Sequence, residues 1–173
     1  VGDATIYCAG GETGIIYRNR VPYHVDKIEV DLNKPLPVKL MMNVGNPESC
    51  FLSSCLPHSG VGLVRIEFMI SNYIKIHPNI LIDYPNVPDE IKLEIDNKIG
   101  ATKPTEYYTI ELARGIAKIA SAYAPHDVIV RFSDFKSNEY KNLIGGKYYE
   151  PDEENPMIGW RGASRYYSPD FIE

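Results

Sequence analysis

Three short, unbroken apolar runs constrain this chain more than any other feature: VKLMMNV (38–44), GLVRIEF (62–68) and DVIVRF (127–132). A run that is apolar without alternation reads as a strand buried on both faces, as in a parallel sheet covered by helices. Between the runs lie segments with helical spacing, NPESCFLSS (46–54), FMISNYIKI (68–76), DEIKLEIDNKI (89–99) and PTEYYTIELARGIAKIASAY (104–123). In the last, Pro104 suits a first helical position, and Tyr108, Leu112, Ile116, Ile119, Ala120 and Tyr123 recur at three- and four-residue steps to form one apolar stripe. Strand alternating with helix predicts an α/β fold. The pattern does not separate an open doubly wound sheet from part of a (β/α)₈ barrel. A complete barrel takes about 250 residues, so there is room here for about half of one.

The first 34 residues have a different texture. ATIYC (4–8) and GIIYR (14–18) flank the turn AGGETG (9–14) and predict a β-hairpin. No helical pattern follows the Gly-Gly, so it reads as a turn needing positive φ and not as a phosphate-cradling loop. Pro35 and Pro37 then mark a boundary. The expected domains are 1–34, a short β-rich segment, and 35–173, the α/β part.

Composition narrows the partners. A net charge of −5 argues against a nucleic-acid or acidic-membrane binder, which would carry a basic face. No stretch approaches the roughly 20 apolar residues of a membrane span. The N-terminus has neither the charged nor the apolar region of a signal peptide, and it lacks an initiator Met, which points to a piece of a longer chain. Cys8, Cys50 and Cys55 form neither a CxxC pair nor an even set, and are read as reduced, small and mostly buried in a cytoplasmic protein. His24, His58, His77 and His126 show no metal-ligand spacing and are read as surface or half-buried imidazoles. The tyrosine pairs at 107–108, 148–149 and 166–167 are read as packing residues.

Two arginines, Arg65 and Arg131, each close an apolar strand-like run. A cation where a buried strand runs out is where an α/β barrel builds an anion site, and a planar guanidinium grips phosphate or carboxylate through paired hydrogen bonds. The competing reading makes Arg65 a local partner of Glu67, two residues along on the same strand face, or of Asp134. Asp134, Lys136, Asn138 and Glu139 follow Arg131 in a polar strand-to-helix loop, and EENPMIGWRGASRYYSP (153–169) adds Arg161 and Arg165.

At these residues the chain resembles the phosphoenolpyruvate synthase (pyruvate, water dikinase) family of PEP-utilising enzymes. The resemblance rests on MNVGNPE (42–48), GVGLVRIEF (60–68), IHP (76–78), VIVRFSDFKSNEYKNLIGG (128–146) and ENPMIGWRGASRY (154–166), and runs from about Ile6 to the C-terminus. GVGLxRxEF is shared with pyruvate phosphate dikinase and the sugar-phosphotransferase enzyme I, whereas the SNEYKNLIGG loop is more specific to the synthase. The resemblance implies the tail of a swivelling phosphohistidine domain over 1–34, then the first half of a PEP/pyruvate-binding barrel over 35–173. It implies Arg65 and Arg131 as arginines holding the transferring phosphoryl group, supported by Asp134 and Arg161. It also implies ATP, pyruvate and water as reactants, phosphoenolpyruvate, AMP and phosphate as products, and Mg²⁺ as cofactor, with metal carboxylates and catalytic cysteine lying beyond Glu173. The phosphohistidine motif is absent, and His58 and Ser59 replace the Asn and Asp expected before GVGL. This segment is therefore expected to be inactive by itself and to self-associate through an open barrel edge. The alternatives are a fragment of pyruvate phosphate dikinase or a related PEP-utilising phosphotransferase, and a non-catalytic phosphate-binding or assembly module.

Overall fold

The computed structural model describes residues 6–7, 15–16, 22–29, 31 and 36–171. The chain divides into two compact units, Val1–Lys34 and Pro35–Glu173. In the first, β1 (Ile6–Tyr7) pairs antiparallel with β2 (Ile15–Ile16), in the hairpin register Ile6 to Ile16. The connecting turn and Cys8 lie outside the described residues.

The second unit is α/β, a partial (β/α)₈ barrel. Its sheet is parallel, in the order β3 (Met42–Val44), β4 (Val61–Arg65), β5 (Val128–Arg131). Seven α-helices are described: α1 (Cys50–Ser53), α2 (Ile66–Met69), α3 (Pro78–Asp83), α4 (Asp89–Ile99), α5 (Pro104–Tyr123), α6 (Ser137–Lys141) and α7 (Ala163–Tyr166). α2 runs into a π-helical turn, Ile70–Ile74, ended by Lys75 at φ 62°, and Ile76 then forms a parallel bridge with Ile144.

The core is the interface between sheet and helices. Val61 and Val64 of β4 are fully buried, along with Ile70, Ile74, Ile95 and Ile119. The α5 stripe is shifted from the expected one. Tyr107, Ile119 and Tyr123 are buried, with Tyr108, Leu112 and Ile116 packed beside them, but Ala120 is exposed. Gly115 brings α5 against α2, since a Cβ there would collide with the Met69 sulfur.

Only the central strand has the expected two-sided burial. Val38 and Leu40 are exposed and precede the strand, which starts at Met42. In β5, Ile129 and Val130 are exposed and Val128 is half-buried, and Phe132 beyond it is 79% exposed. The physical reason is position: β5 ends the sheet order, so no further strand among the described residues pairs along its outer edge. Two other expectations are also corrected. Cys55 is exposed while Cys50 is buried, because Cys50 opens α1 on its inner face and Cys55 lies past the end of that short helix. Glu67 is not on the strand with Arg65, because the chain turns helical at Ile66.

The β4–β5 pairing depends on Gly60, whose φ is +124° and whose Cβ position is occupied by the Asp127 carbonyl. That close approach lets Val61 N–H donate to the Asp127 carbonyl at 2.8 Å. Gly60→Ala is expected to destabilise the second unit by at least roughly 1–3 kcal/mol, the usual cost of such a backbone conformation for a residue with a side chain. Urea unfolding of the variant beside wild type measures it, and an unchanged midpoint would refute it.

Candidate functional site

Parallel pairing sets Arg65 opposite Arg131 in register, at the C-terminal end of β4 and β5. In-register neighbours of a parallel sheet project to the same face, so both side chains leave the sheet together. Among the described residues the Arg65 side chain is exposed and makes no hydrogen bond or ion pair. It therefore does not pair with Glu67 or with Asp134.

Those two carboxylates hold other arginines. Glu67 Oε1 accepts from Arg131 Nη2 at 2.8 Å and from the Asp134 backbone N–H at 2.7 Å. Asp134 receives Arg161 in a two-point grip, Nε to Oδ1 at 3.1 Å and Nη2 to Oδ2 at 2.7 Å. Asp134 Oδ2 also lies 3.7 Å from Arg131 Nη1. The Arg161 hydrogen bond, opposed by partial burial, holds the Asp134 carboxyl below its ordinary range. The structure thus brings Arg131, Asp134 and Arg161 into one ion-pair chain, with Glu67 as its fourth member and Arg65 beside it.

Local structure holds this chain in place. Ser133 N–H donates to the Tyr166 hydroxyl at 2.9 Å, and Tyr140 donates to the Ser133 hydroxyl at 3.0 Å, which pins the loop after β5. The Glu153 carboxylate accepts from Ser137 and from Trp160 N–H at 2.7 Å, closing the loop before Arg161 onto α6. Gly162 follows at φ +58°, with a carboxylate oxygen of Asp134 3.3 Å from where its Cβ would be.

A second polar cluster lies in the core. Arg165 is fully buried, donates from Nη1 and Nη2 to Glu150 at 2.5 and 2.7 Å, and donates again to the Trp160 carbonyl at 3.0 Å. Its guanidinium lies over the rings of Trp160 and Tyr140, at 3.9 and 4.3 Å. His77 is fully buried too, contrary to the surface or half-buried reading. Its Nδ1 accepts from Asn79 N–H at 3.2 Å and caps α3, so Nε2 carries the proton and donates to Glu150 Oε1 at 2.9 Å. The one available sequence signal was Pro78 at the first helical position, which makes the residue before it a cap. Nothing in the sequence marked Glu150 as the buried counter-charge. Burial pushes the Tyr140 hydroxyl up to about 12.

The four arginines differ in how many donors they leave free. Arg165 is enclosed. Arg161 commits Nε and Nη2 to Asp134 and Nη1 to the Met157 sulfur. Arg131 commits one Nη2 hydrogen to Glu67, and among the described residues its other N–H groups have no hydrogen-bonded acceptor. Arg65 commits none. Of these four, the two strand-end arginines keep the most free donors. A separate apolar recess of about 550 Å³, lined by Ile66, Tyr108, Leu112, Phe132, Tyr166 and Phe171, contains none of the four.

Comparison with known proteins gives the family. Residues 23–172 match the model of the PEP-utilising enzyme, PEP-binding domain. The chain belongs to this family. It is 53% identical over 172 residues to a phosphoenolpyruvate synthase of Deinococcus radiodurans, covering 99% of this chain and 22% of that protein. It is 50% identical over 168 residues to one of Pseudomonas aeruginosa, covering 96% and 21%. With one of Escherichia coli it shares 47% over 170 residues, covering 98% and 21%. The chain thus spans about a fifth of the length of the curated relatives it matches.

The buried His77 makes stability pH-dependent. Burial, reinforced by Arg165 and opposed by Glu150, lowers its pKa below the ordinary value of about 6.5. The unfolded chain therefore binds more protons than the folded one below about pH 6.5, and stability falls as pH falls. Glu150 acts in the same sense lower down. Burial raises its pKa, but hydrogen bonds from His77 and Arg165 outweigh burial and hold the carboxyl below its usual range. The urea midpoint is expected to decline from pH 7 to pH 5, with a shallower slope in His77→Gln. Equal slopes would show that His77 does not titrate between the two states.

Proposed function

We propose that this chain is the segment of a phosphoenolpyruvate synthase that holds the phosphoryl group of its substrate. The observation carrying the reading is the in-register pairing of Arg65 and Arg131, whose donors are mostly free, at the C-terminal end of adjacent parallel strands. That end of a barrel is where its loops build active sites. In this reading Arg65 and Arg131 bind the phosphoryl oxygens directly, while Asp134 and Arg161 brace the loop beside them. Phosphoryl transfer needs positioning and charge neutralisation more than covalent help, and two guanidiniums supply both.

The whole enzyme would convert pyruvate, ATP and water to phosphoenolpyruvate, AMP and phosphate, with a phosphohistidine domain delivering the group to pyruvate in the cytoplasm. Among the described residues no three His, Cys, Asp or Glu side chains converge as metal ligands. In this reading the Mg²⁺ of that reaction is held by the rest of the enzyme. No helix among them is long and apolar enough to cross a membrane.

Calorimetric titration with phosphoenolpyruvate, competed by inorganic phosphate, tests the reading. Arg131→Lys and Arg65→Lys keep the charge but lose the planar two-point grip. Each is expected to weaken binding about tenfold, from hydrogen bonds to charged groups worth roughly 1.5–3 kcal/mol. Wild-type affinity in both variants would make these arginines structural.

We also propose that the open edge of β5, with its exposed Ile129, Val130 and Phe132, associates with a second copy when this segment is isolated. Sedimentation is expected to show concentration-dependent dimers weakened by Phe132→Ser, and a strict monomer at all concentrations would overturn this.

A further inference from the structure

Glu67 occupies an unusual position for a residue beside an anion site. It is a carboxylate whose side chain is only 15% exposed, next to arginines that the proposed function assigns to a phosphoryl group. Electrostatics alone would place no negative charge there. Its two oxygens are also unequal. Oε1 holds Arg131 Nη2 and the Asp134 N–H, while Oε2 is buried with no hydrogen-bond partner among the described residues. A buried polar atom without a partner is a cost that folded proteins usually avoid.

We infer that Glu67 is a positioning residue of the phosphoryl site, acting through Arg131. From the first turn of α2, the helix that follows β4, its Oε1 reaches across to β5 and ties down two groups at once. One is a single corner of the Arg131 guanidinium. The other is the backbone of the loop that carries Asp134, and through Asp134 the Arg161 fork. Arg131 is thereby oriented while most of its donors stay free, whereas a two-point carboxylate grip like that on Arg161 would consume the edge a ligand needs. The arrangement amounts to preorganisation, since a guanidinium already held in place loses less side-chain freedom when the anion arrives. It rests on the reading of Arg131 as a phosphoryl ligand.

The two accounts of Glu67 predict opposite signs. If its charge merely competes with the ligand for Arg131, Glu67→Gln should tighten anion binding. If it positions Arg131, Glu67→Gln should weaken it despite removing a negative charge. Phosphoenolpyruvate affinity is measured by calorimetry for wild type, Glu67→Gln, Arg131→Lys and the double variant, with Glu67→Asp as a second probe that keeps the charge but shortens its reach. Thermal unfolding of each unliganded protein accompanies the titrations.

The expected result is an affinity lowered by about tenfold in Glu67→Gln and in Glu67→Asp, with little further loss when Glu67→Gln is added to Arg131→Lys. Unchanged or tighter binding in Glu67→Gln, or losses that multiply in the double variant, would overturn the inference. Wild-type affinity in Arg131→Lys, or no binding by the wild-type chain, would instead defeat the functional reading beneath it. Should Glu67→Gln unfold, Glu67→Asp decides: a wild-type affinity there refutes positioning.

Discussion

The parallel pairing of β4 with β5 is the constraint on which the rest depends. It sets Arg65 opposite Arg131 and both at the strand ends from which the loops depart. Without that register the two guanidiniums would belong to separate surfaces, and the carboxylates of α2 and of the loop after β5 would have no common cation to share. The register itself relies on a close backbone approach at Gly60, where Asp127 is drawn against β4. Any side chain at that glycine would push the strands apart before Arg65 and Arg131 were reached.

From that starting point the charged groups fall into two populations with different physics. Arg165, Glu150 and His77 lie in the core, where an ion pair survives only if its members are matched and hydrogen-bonded. Rings of Trp160 and Tyr140 cover the guanidinium, and Glu150 accepts from both Arg165 and the neutral His77 imidazole, so the cluster locks the 153–166 loop to α3. Arg131, Glu67, Asp134 and Arg161 lie at the surface of the same unit and are partly exposed. There the ion pairs contribute little to stability, and what they determine is where each guanidinium points. The enclosed cluster makes the loop rigid, and the open chain uses that rigidity to present donors.

The α/β class and the long helix at Pro104–Tyr123 were legible because periodicity reports which face of an element meets apolar neighbours. Arg65 and Arg131 were legible as a pair because each closes an apolar run. Ligand spacing does not reveal His77, because it caps a helix and faces a carboxylate far along the chain. Glu67 was read as a neighbour of Arg65 because strand alternation was carried one residue too far. The helix begins at Ile66, and the side chain turns towards β5. The burial of β5 was over-read for a related reason, since an apolar run records what a strand is built to meet and not what covers it within this chain.

By itself the sequence determined the local quantities: which segments are helix or strand, where turns need glycine or proline, and which charged residues end apolar runs. These follow from short-range sterics and side-chain period, and neighbours within a few residues are enough to set them. Only the tertiary structure decided which carboxylate each arginine meets. Arg131 joins Glu67 across 64 residues and Arg161 joins Asp134 across 27, and such partners are chosen by strand register and loop closure. The energy of an ion pair depends on distance and burial, and neither exists until the chain has folded.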